Sequence, residues 1–212
     1  MKPFAVLLGL VMTLPVLADR AAPKAPPPLI PRDVLFGNPE RAAAQLSPDG
    51  KYLAYLAPDA KNVLQVWVRP LDQKEARQLT NDPKRGIRQY YWTHDGVHLL
   101  YLQDTDGDEN FHLYAVDVAK GQTRELTPFK GGRGQGVDLS RDHPDEVLFS
   151  MNQRSRMAFD MHRLNLKTGA IKLDTQNPGM VMAWAADANF QVRAGTQARP
   201  DGGYDLLVRD AV

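Results

Sequence analysis

Short apolar runs, broken by polar turns, return along this chain at a fixed beat. Residues 45–56, QLSPDGKYLAYL, set two apolar, aromatic-containing runs on either side of a tight turn. The same figure reappears at 91–102 (YWTHDGVHLLYL), at 138–151 (DLSRDHPDEVLFSM, two residues longer) and, worn down, at 183–195 (AWAADANFQVRAG). Ser47, Thr93, Ser140 and Ala185 mark equivalent places, 46, 47 and 45 residues apart. Leu79, Leu126 and Leu173, in RQLT, RELT and IKLDT, form a second landmark stepping by 47. A constant period of this length in a β-rich chain predicts an all-β propeller, one blade per repeat.

The alternation predicts four strands per blade. First strands are expected at 43–47, 87–93, 136–140 and 181–185, and second strands at 52–57, 98–103, 146–151 and 190–195. Third strands fall at 63–71, 111–118, 159–166 and 204–210, and outer strands at 76–80, 123–127 and 170–175. Leu46, Trp92, Leu139 and Trp184 end the four first strands, which suggests one shared core layer. The repeats run over about 41–80, 85–127, 134–175 and 180–212, and the fourth reaches Val212 without an outer strand. Three complete blades and part of a fourth predict a portion of a longer protein, because an open fan leaves strand edges unpaired and propellers close with about 4–8 blades. A further reading, a truncated product that does not fold stably, predicts self-association and broad unfolding from the open strand edge. A closed four-blade ring is the other arrangement, should 33–44 supply the missing strand.

Upstream the pattern changes. Lys2 followed by an apolar run at 4–17 and Ala18 reads as a signal peptide over 1–18, since the run is shorter than the roughly 20 residues a spanning helix needs. Residues 19–32 hold a proline-rich spacer, and the propeller portion is expected over 33–212. The leader predicts a periplasmic or secreted protein with no membrane span after cleavage. The net charge of +1, with basic and acidic residues interspersed, gives no reason to expect nucleic acid. With no cysteine in the chain, disulfides, thiolate metal sites and thiol nucleophiles are excluded.

No catalytic residue is expected in this chain. Its four serines (Ser47, Ser140, Ser150, Ser155) lie outside any Gly-x-Ser-x-Gly elbow, and Ser47 and Ser140 sit in the repeat's own turn, where a hydroxyl bonds local backbone. His94 and His98 flank a turn, so helical metal-ligand spacing does not apply, and no metal or cofactor is predicted. The acidic stretch 103–110, QDTDGDEN, is the most unusual. Asp104, Asp106 and Asp108 alternate around Gly107 as in the start of a calcium loop, but the twelfth position is Ala115 rather than a glutamate. It reads as a polar loop, a calcium site of other geometry, or a carboxylate pair, Asp108 and Glu109, that binds a substrate's cationic group such as a peptide's free amine. Arg85, Arg88, Arg133, Arg141, Arg154 and Arg156 cluster at blade rims, where one of them could grip a carboxylate or carbonyl. GGRGQG at 131–136 lacks the Lys-Ser/Thr of a phosphate loop and reads as a flexible connection between blades.

LSPDGKYLAYL and WTHDGVHLLYL resemble the propeller repeats of the prolyl oligopeptidase family of serine peptidases (S9) and of the related TolB-type propellers. Residues 87–127 are more particular: Trp92, Gly-Asp-Glu-Asn at 107–110 and the following Leu-Tyr-x-Val-Asp resemble the acylaminoacyl-peptidase or dipeptidyl-peptidase-like branch. The resemblance spans about Pro31 to Val212. It implies an N-terminal propeller, normally of seven or eight blades, that restricts access to, and contacts peptide substrates of, a C-terminal α/β-hydrolase domain bearing Ser, Asp and His. That domain is missing from this sequence, so the chain alone is expected to be inactive. The rival reading is a non-enzymatic TolB-like propeller that binds a protein partner.

Overall fold

The computed structural model describes residues 27–209. The expected signal peptide and the start of the spacer lie outside the described residues, as do 210–212. Two compact units meet at Phe36 and Gly37 in the sequence. The first contains α1 (Arg32–Phe36), a single exposed turn of helix. The second is all β.

Four antiparallel sheets follow one another along the chain. The first sets β1 (Ala42–Leu46), β2 (Tyr52–Pro58), β3 (Leu64–Pro70) and β4 (Arg77–Gln78) side by side. The second has β5 (Tyr90–Trp92), β6 (His98–Gln103), β7 (His112–Asp117) and β8 (Thr123–Glu125). The third has β9 (Gly134–Leu139), β10 (Glu146–Ser155), β11 (Ala158–Asn165) and β12 (Ile171–Thr175). The fourth pairs β13 (Val181–Ala186), β14 (Val192–Ala198) and β15 (Tyr204–Val208), and shows three strands among the described residues. These are the blades of a β-propeller, three of them complete.

The blades stack because their second strands are apolar on both faces, and successive side chains point opposite ways. Leu99 and Tyr101 of β6 join Ala54, Leu56, Val66 and Val68 in the seam between the first two blades. Leu100, one residue along, turns to the third blade and meets Val147, Phe149 and Leu164. Leu148 and Met161 face the fourth blade, where Phe190 and Val192 are buried against them. A cross-strand pair of rings repeats with the blades. Tyr55 stands opposite Trp67, Tyr101 stacks on Tyr114 with centroids 5.2 Å apart, and Phe149 lies 5.8 Å from the imidazole of His162. In the fourth blade the neighbours at that level are Ala194 and Val208.

The Ser-Pro-Asp-Gly turn explains why the figure recurs. Ser47 Oγ accepts the amides of Lys51 and Tyr52 at 3.1 and 2.9 Å and donates to Asp49, which accepts the Lys51 amide as well. Gly50 and Gly96 hold the left-handed position the turn requires, at φ of 71° and 72°. Arginines then tie blade to blade. Arg77 of β4 donates to the Val118 carbonyl of the second blade, and Arg124 of β8 donates to the Leu166 carbonyl of the third at 2.6 Å.

Four expectations are corrected. Leu79 and Leu126 are buried, but Leu173 is 53% exposed. One extra residue precedes it in the third blade, and a one-residue slip turns a strand residue to the other face. The true landmark is the threonine after it: Thr80, Thr127 and Thr175 are all buried, and the first two accept the amides of Val66 and Leu113 through Oγ1. Leu46 is less well covered than Trp92, Leu139 and Trp184, which are partly buried against seams; at 58% exposure it lines an open depression with Tyr91, Trp92 and Leu139. Phe190 does not open the second strand of its blade. It is buried in the turn at φ 60°, its amide bonded to the Asp187 carbonyl at 2.9 Å, and β14 starts at Val192. Finally, residues 131–136 are half strand. β9 begins at Gly134, whose amide is held by the Phe111 carbonyl at 2.7 Å.

Candidate functional site

The two rims of the fan differ in chemistry. Repeat turns occupy one. The other is built from the β6–β7 loop and the linkers that carry the chain from one blade to the next, and it concentrates the polar groups left over by packing.

The first linker is organised by Asp82. One carboxylate oxygen receives the amides of Lys84, Arg85 and Gly86 at 2.9, 2.6 and 2.8 Å. The other receives Gln103 Nε2 at 2.6 Å, and the Asp82 carbonyl accepts Gln65 Nε2 at 2.7 Å. Burial would raise this carboxyl's pKa, but the Gln103 and backbone bonds outweigh it and hold the group below its ordinary value. A charged Asp82 thus fixes the linker that presents Arg85 and Arg88.

The acidic loop is fixed in the same way from below. Asp104, with a side chain only 2% exposed, lies 3.8 Å from Arg85 Nε and accepts the Glu109 amide at 3.1 Å. Asp108 accepts its own loop's donors, the Asn110 side chain and amide at 3.0 Å each and the Thr105 amide at 3.3 Å, and those bonds lower its pKa. Asp106 pairs with Lys84 at 3.2 Å. The three aspartates that alternate in sequence therefore serve three different partners, and among the described residues no group of three His, Asp or Glu gathers as a metal-ligand set. Asp106 and Glu109 both adopt left-handed backbone, at φ 54° and 59°, a conformation unusual for these residue types. Glu109 is exposed, and its carboxylate makes no hydrogen bond or ion pair among the described residues.

Between the second and third blades this rim opens into a cavity of about 400 Å³, lined by Arg85, Arg88, Asp104, Phe111 and Arg133 among others. Arg133 is anchored through its backbone: its amide donates to Asn152 Oδ1 at 2.6 Å and its carbonyl accepts the Asn152 amide at 3.1 Å. The guanidinium lies over the Phe111 ring at 5.5 Å, and Nε is buried without a partner among the described residues. A second cavity of about 380 Å³ lies behind Arg85 and Asp104, which with Gln103 form the wall between the two.

Of the arginines singled out in the sequence, the fold brings Arg85, Arg88 and Arg133 to one cavity. Arg154 is engaged elsewhere, bidentate on the buried Asp160 at 2.8 and 2.9 Å, and Arg141 lines a depression with His94 on the opposite rim. Arg156 is exposed. Asp108 and Glu109 stand outside both cavities, on the solvent side of the loop whose root, Asp104, lines them. His94 and His98 do not converge, since His98 Nδ1 bonds Asp95 Oδ2 at 2.5 Å. Ser47, Ser140 and Ser150 are bonded to nearby backbone. Sequence reading missed Asp82, Gln103 and Phe111. The only local hint was the Asn-Asp-Pro turn chemistry at 81–83.

No family model matches the chain. It is 43% identical over 209 residues to dipeptidyl aminopeptidase BIII of Pseudoxanthomonas mexicana, an alignment covering 98% of this chain and 30% of the relative. Over 180 residues it is 31% identical to dipeptidyl peptidase family member 6 of Caenorhabditis elegans, covering 82% of this chain and 24% of the relative. The chain thus spans less than a third of the length of the curated relatives it matches. Among solved structures, TolB of Acinetobacter baumannii superposes with a TM-score of 0.56 at 17% identity, over 82% of this chain and 41% of that one. The β-propeller domain of the trilobed protease of Pyrococcus furiosus superposes with a TM-score of 0.52 at 16% identity, over 81% and 56%. No helix among the described residues is long and apolar enough to cross a membrane.

Proposed function

The chain is a propeller portion homologous to the dipeptidyl peptidases of the prolyl oligopeptidase family, and on that premise we propose that it gates and helps bind peptide substrates for a hydrolase domain in a secreted or periplasmic serine peptidase. In this reading Glu109 and Asp108 capture the peptide's free N-terminal amine. The supporting observation is the Glu109 backbone: a non-glycine residue held at φ 59° by the buried Asp104, with its carboxylate left free. Strain of this kind persists where the surroundings over-determine it, and it presents the carboxylate in a set direction. Asp108, whose pKa is lowered by its loop bonds, adds a second negative charge beside it. Peptide cleavage itself belongs to residues outside this chain. The relatives at 43% and 31% identity are named as peptidases, whereas the likeness to TolB is one of fold, so a non-enzymatic binding propeller is not favoured.

Two measurements test the reading. The intact mass of the protein from its native source, followed by a serine-reactive probe, should reveal a species well above 23.6 kDa that labels. In that protein, Asp108→Asn with Glu109→Gln should raise KM for peptides with a free N terminus by about tenfold or more, in keeping with loss of a charge-assisted contact. KM for acyl-blocked peptides should stay where it was. Unchanged kinetics on both would remove these carboxylates from substrate binding.

A further inference from the structure

The cavity between the second and third blades has an unusual balance: three guanidiniums against one carboxylate, over an apolar floor that includes Leu102 and Phe111. The lone carboxylate, Asp104, is already committed to the Glu109 amide and to Arg85. Arg88 has no ion pair among the described residues. Arg133 is the most exacting member, because its backbone is clamped to Asn152, its guanidinium rests on the Phe111 ring, and its Nε is buried with nothing to bond. Its guanidinium makes no hydrogen bond or ion pair among the described residues, and a planar guanidinium is matched by a planar carboxylate.

We infer that this cavity is a side-chain subsite for an acidic residue of the peptide, whose carboxylate is received by Arg133 and Arg88 while its methylenes lie against Phe111 and Leu102. Its volume, about 400 Å³, falls in the ordinary range for a small-ligand site. The inference rests on the proposed reading of the chain as a peptide-binding propeller and names the substrate class that reading leaves open. It also gives the rim two charge zones on one loop: exposed carboxylates at 108 and 109 for the amine, and guanidiniums behind Asp104 for the acid. Arg85 holds the zones together, since a Cβ placed on Gly107 would come within 3.2 Å of its Nη1, so loop and cavity wall are in close contact.

The α-amides of N-acetylglutamate and N-acetylglutamine, which carry no α-carboxylate, are the probes, titrated into the intact protein by calorimetry. The blocked amine keeps Asp108 and Glu109 out of the measurement, so this result stands apart from that of the amine-capture test. The acid should bind about tenfold or more tightly than the amide, and its affinity should fall as salt rises. Arg133→Gln and Arg88→Gln should each erase the difference between acid and amide. In the intact enzyme the same preference should appear as a ratio of kcat/KM for matched peptides carrying Glu or Gln near the N terminus, carried mainly by KM; being internal to each variant, the ratio is readable even where overall activity drops. Equal binding of acid and amide by the unsubstituted protein would overturn the subsite, and so would acid binding that survives both arginine substitutions. Unchanged kinetics in the Asp108→Asn, Glu109→Gln protein with the acid preference intact would instead count against the reading of Asp108 and Glu109 alone.

Discussion

Two seams of this fan, built from the same repeat, are held together in different ways. Between the second and third blades the cluster is large and aliphatic, with Leu100, Leu113, Val147, Phe149, Met151 and Leu164 all buried, and one arginine, Arg124, clasping the Leu166 carbonyl. Between the third and fourth blades the buried cluster among the described residues is smaller: Leu148, Met161, Phe190 and Val192. The fourth repeat has traded large side chains for small ones, with Ala194 where the earlier blades carry Tyr55, Tyr101 and Phe149, and Gly195 where the first two carry Leu56 and Leu102. Gly195 is itself a consequence of close approach: a Cβ there would sit 2.7 Å from Val181 Cγ1. Polar groups fill the role the apolar ones vacate. Arg163 reaches Glu146 at 2.8 Å, Asp174 at 3.0 Å and the Phe190 carbonyl at 2.6 Å, with its guanidinium 5.1 Å above the Phe190 ring. Lys172, cross-strand from Arg163 as Arg124 is from Ala115, is exposed. A worn repeat can thus be kept in the stack by directional contacts where burial is thin.

Truncation sharpens this contrast most. Phe149→Ala should cost about 3–5 kcal/mol, the usual cost of emptying a buried aromatic site, and Val192→Ala about 1.5 kcal/mol, for two methyl groups. Equal losses in denaturant unfolding of the intact protein would refute the idea that the two seams differ in apolar content. Next in size is Arg163→Met, expected to cost roughly 1.5–3 kcal/mol by stripping charged hydrogen bonds from the third seam. Faster amide exchange should then appear in β13 and β14 and leave β6 and β10 as they were; uniform acceleration would show that Arg163 is not local to that seam.

The smallest effect is a pH dependence on the well-packed side. Burial beside Phe149 lowers the pKa of His162, only partly opposed by the Asp160 carbonyl and the charges of Asp160 and Asp174. A histidine depressed in the folded state binds fewer protons there than when unfolded, so stability falls as pH drops below the ordinary value of 6.5. His94, lowered by burial and by Arg141, acts with the same sign. The lowered carboxyls, Asp160 and Asp187, lose their contribution only further down, below 3.8. His162→Gln should flatten part of the slope between neutral pH and about 5, where an ordinary histidine titrates; an unchanged slope would assign it elsewhere.

Much of this architecture was legible in the chain because a propeller repeats its reasons. Turn chemistry at Ser47–Gly50 and the doubly apolar second strands recur at a fixed period, so the four repeats of this chain and their strand order needed no tertiary information. Register was harder to read. The inserted residue before Leu173 is invisible to a leucine count, and only the buried threonines show which face the strand presents. The candidate site was half legible. QDTDGDEN stood out by composition, but nothing local says that Asp104 points inward while Asp108 and Glu109 point out.

The repeat, the sheet order and the placement of charge on the rims follow from local pattern, because hydrophobic alternation and turn residues act within a few neighbours along the chain. Which charges meet is set by the stacking of the sheets. Arg85 and Arg88 enter from one linker, Asp104 and Phe111 from a loop, and Arg133 from the next blade, and their convergence depends on how two sheets stack. Side-chain chemistry is written residue by residue, whereas the cavity that gathers it exists only in the gap between blades.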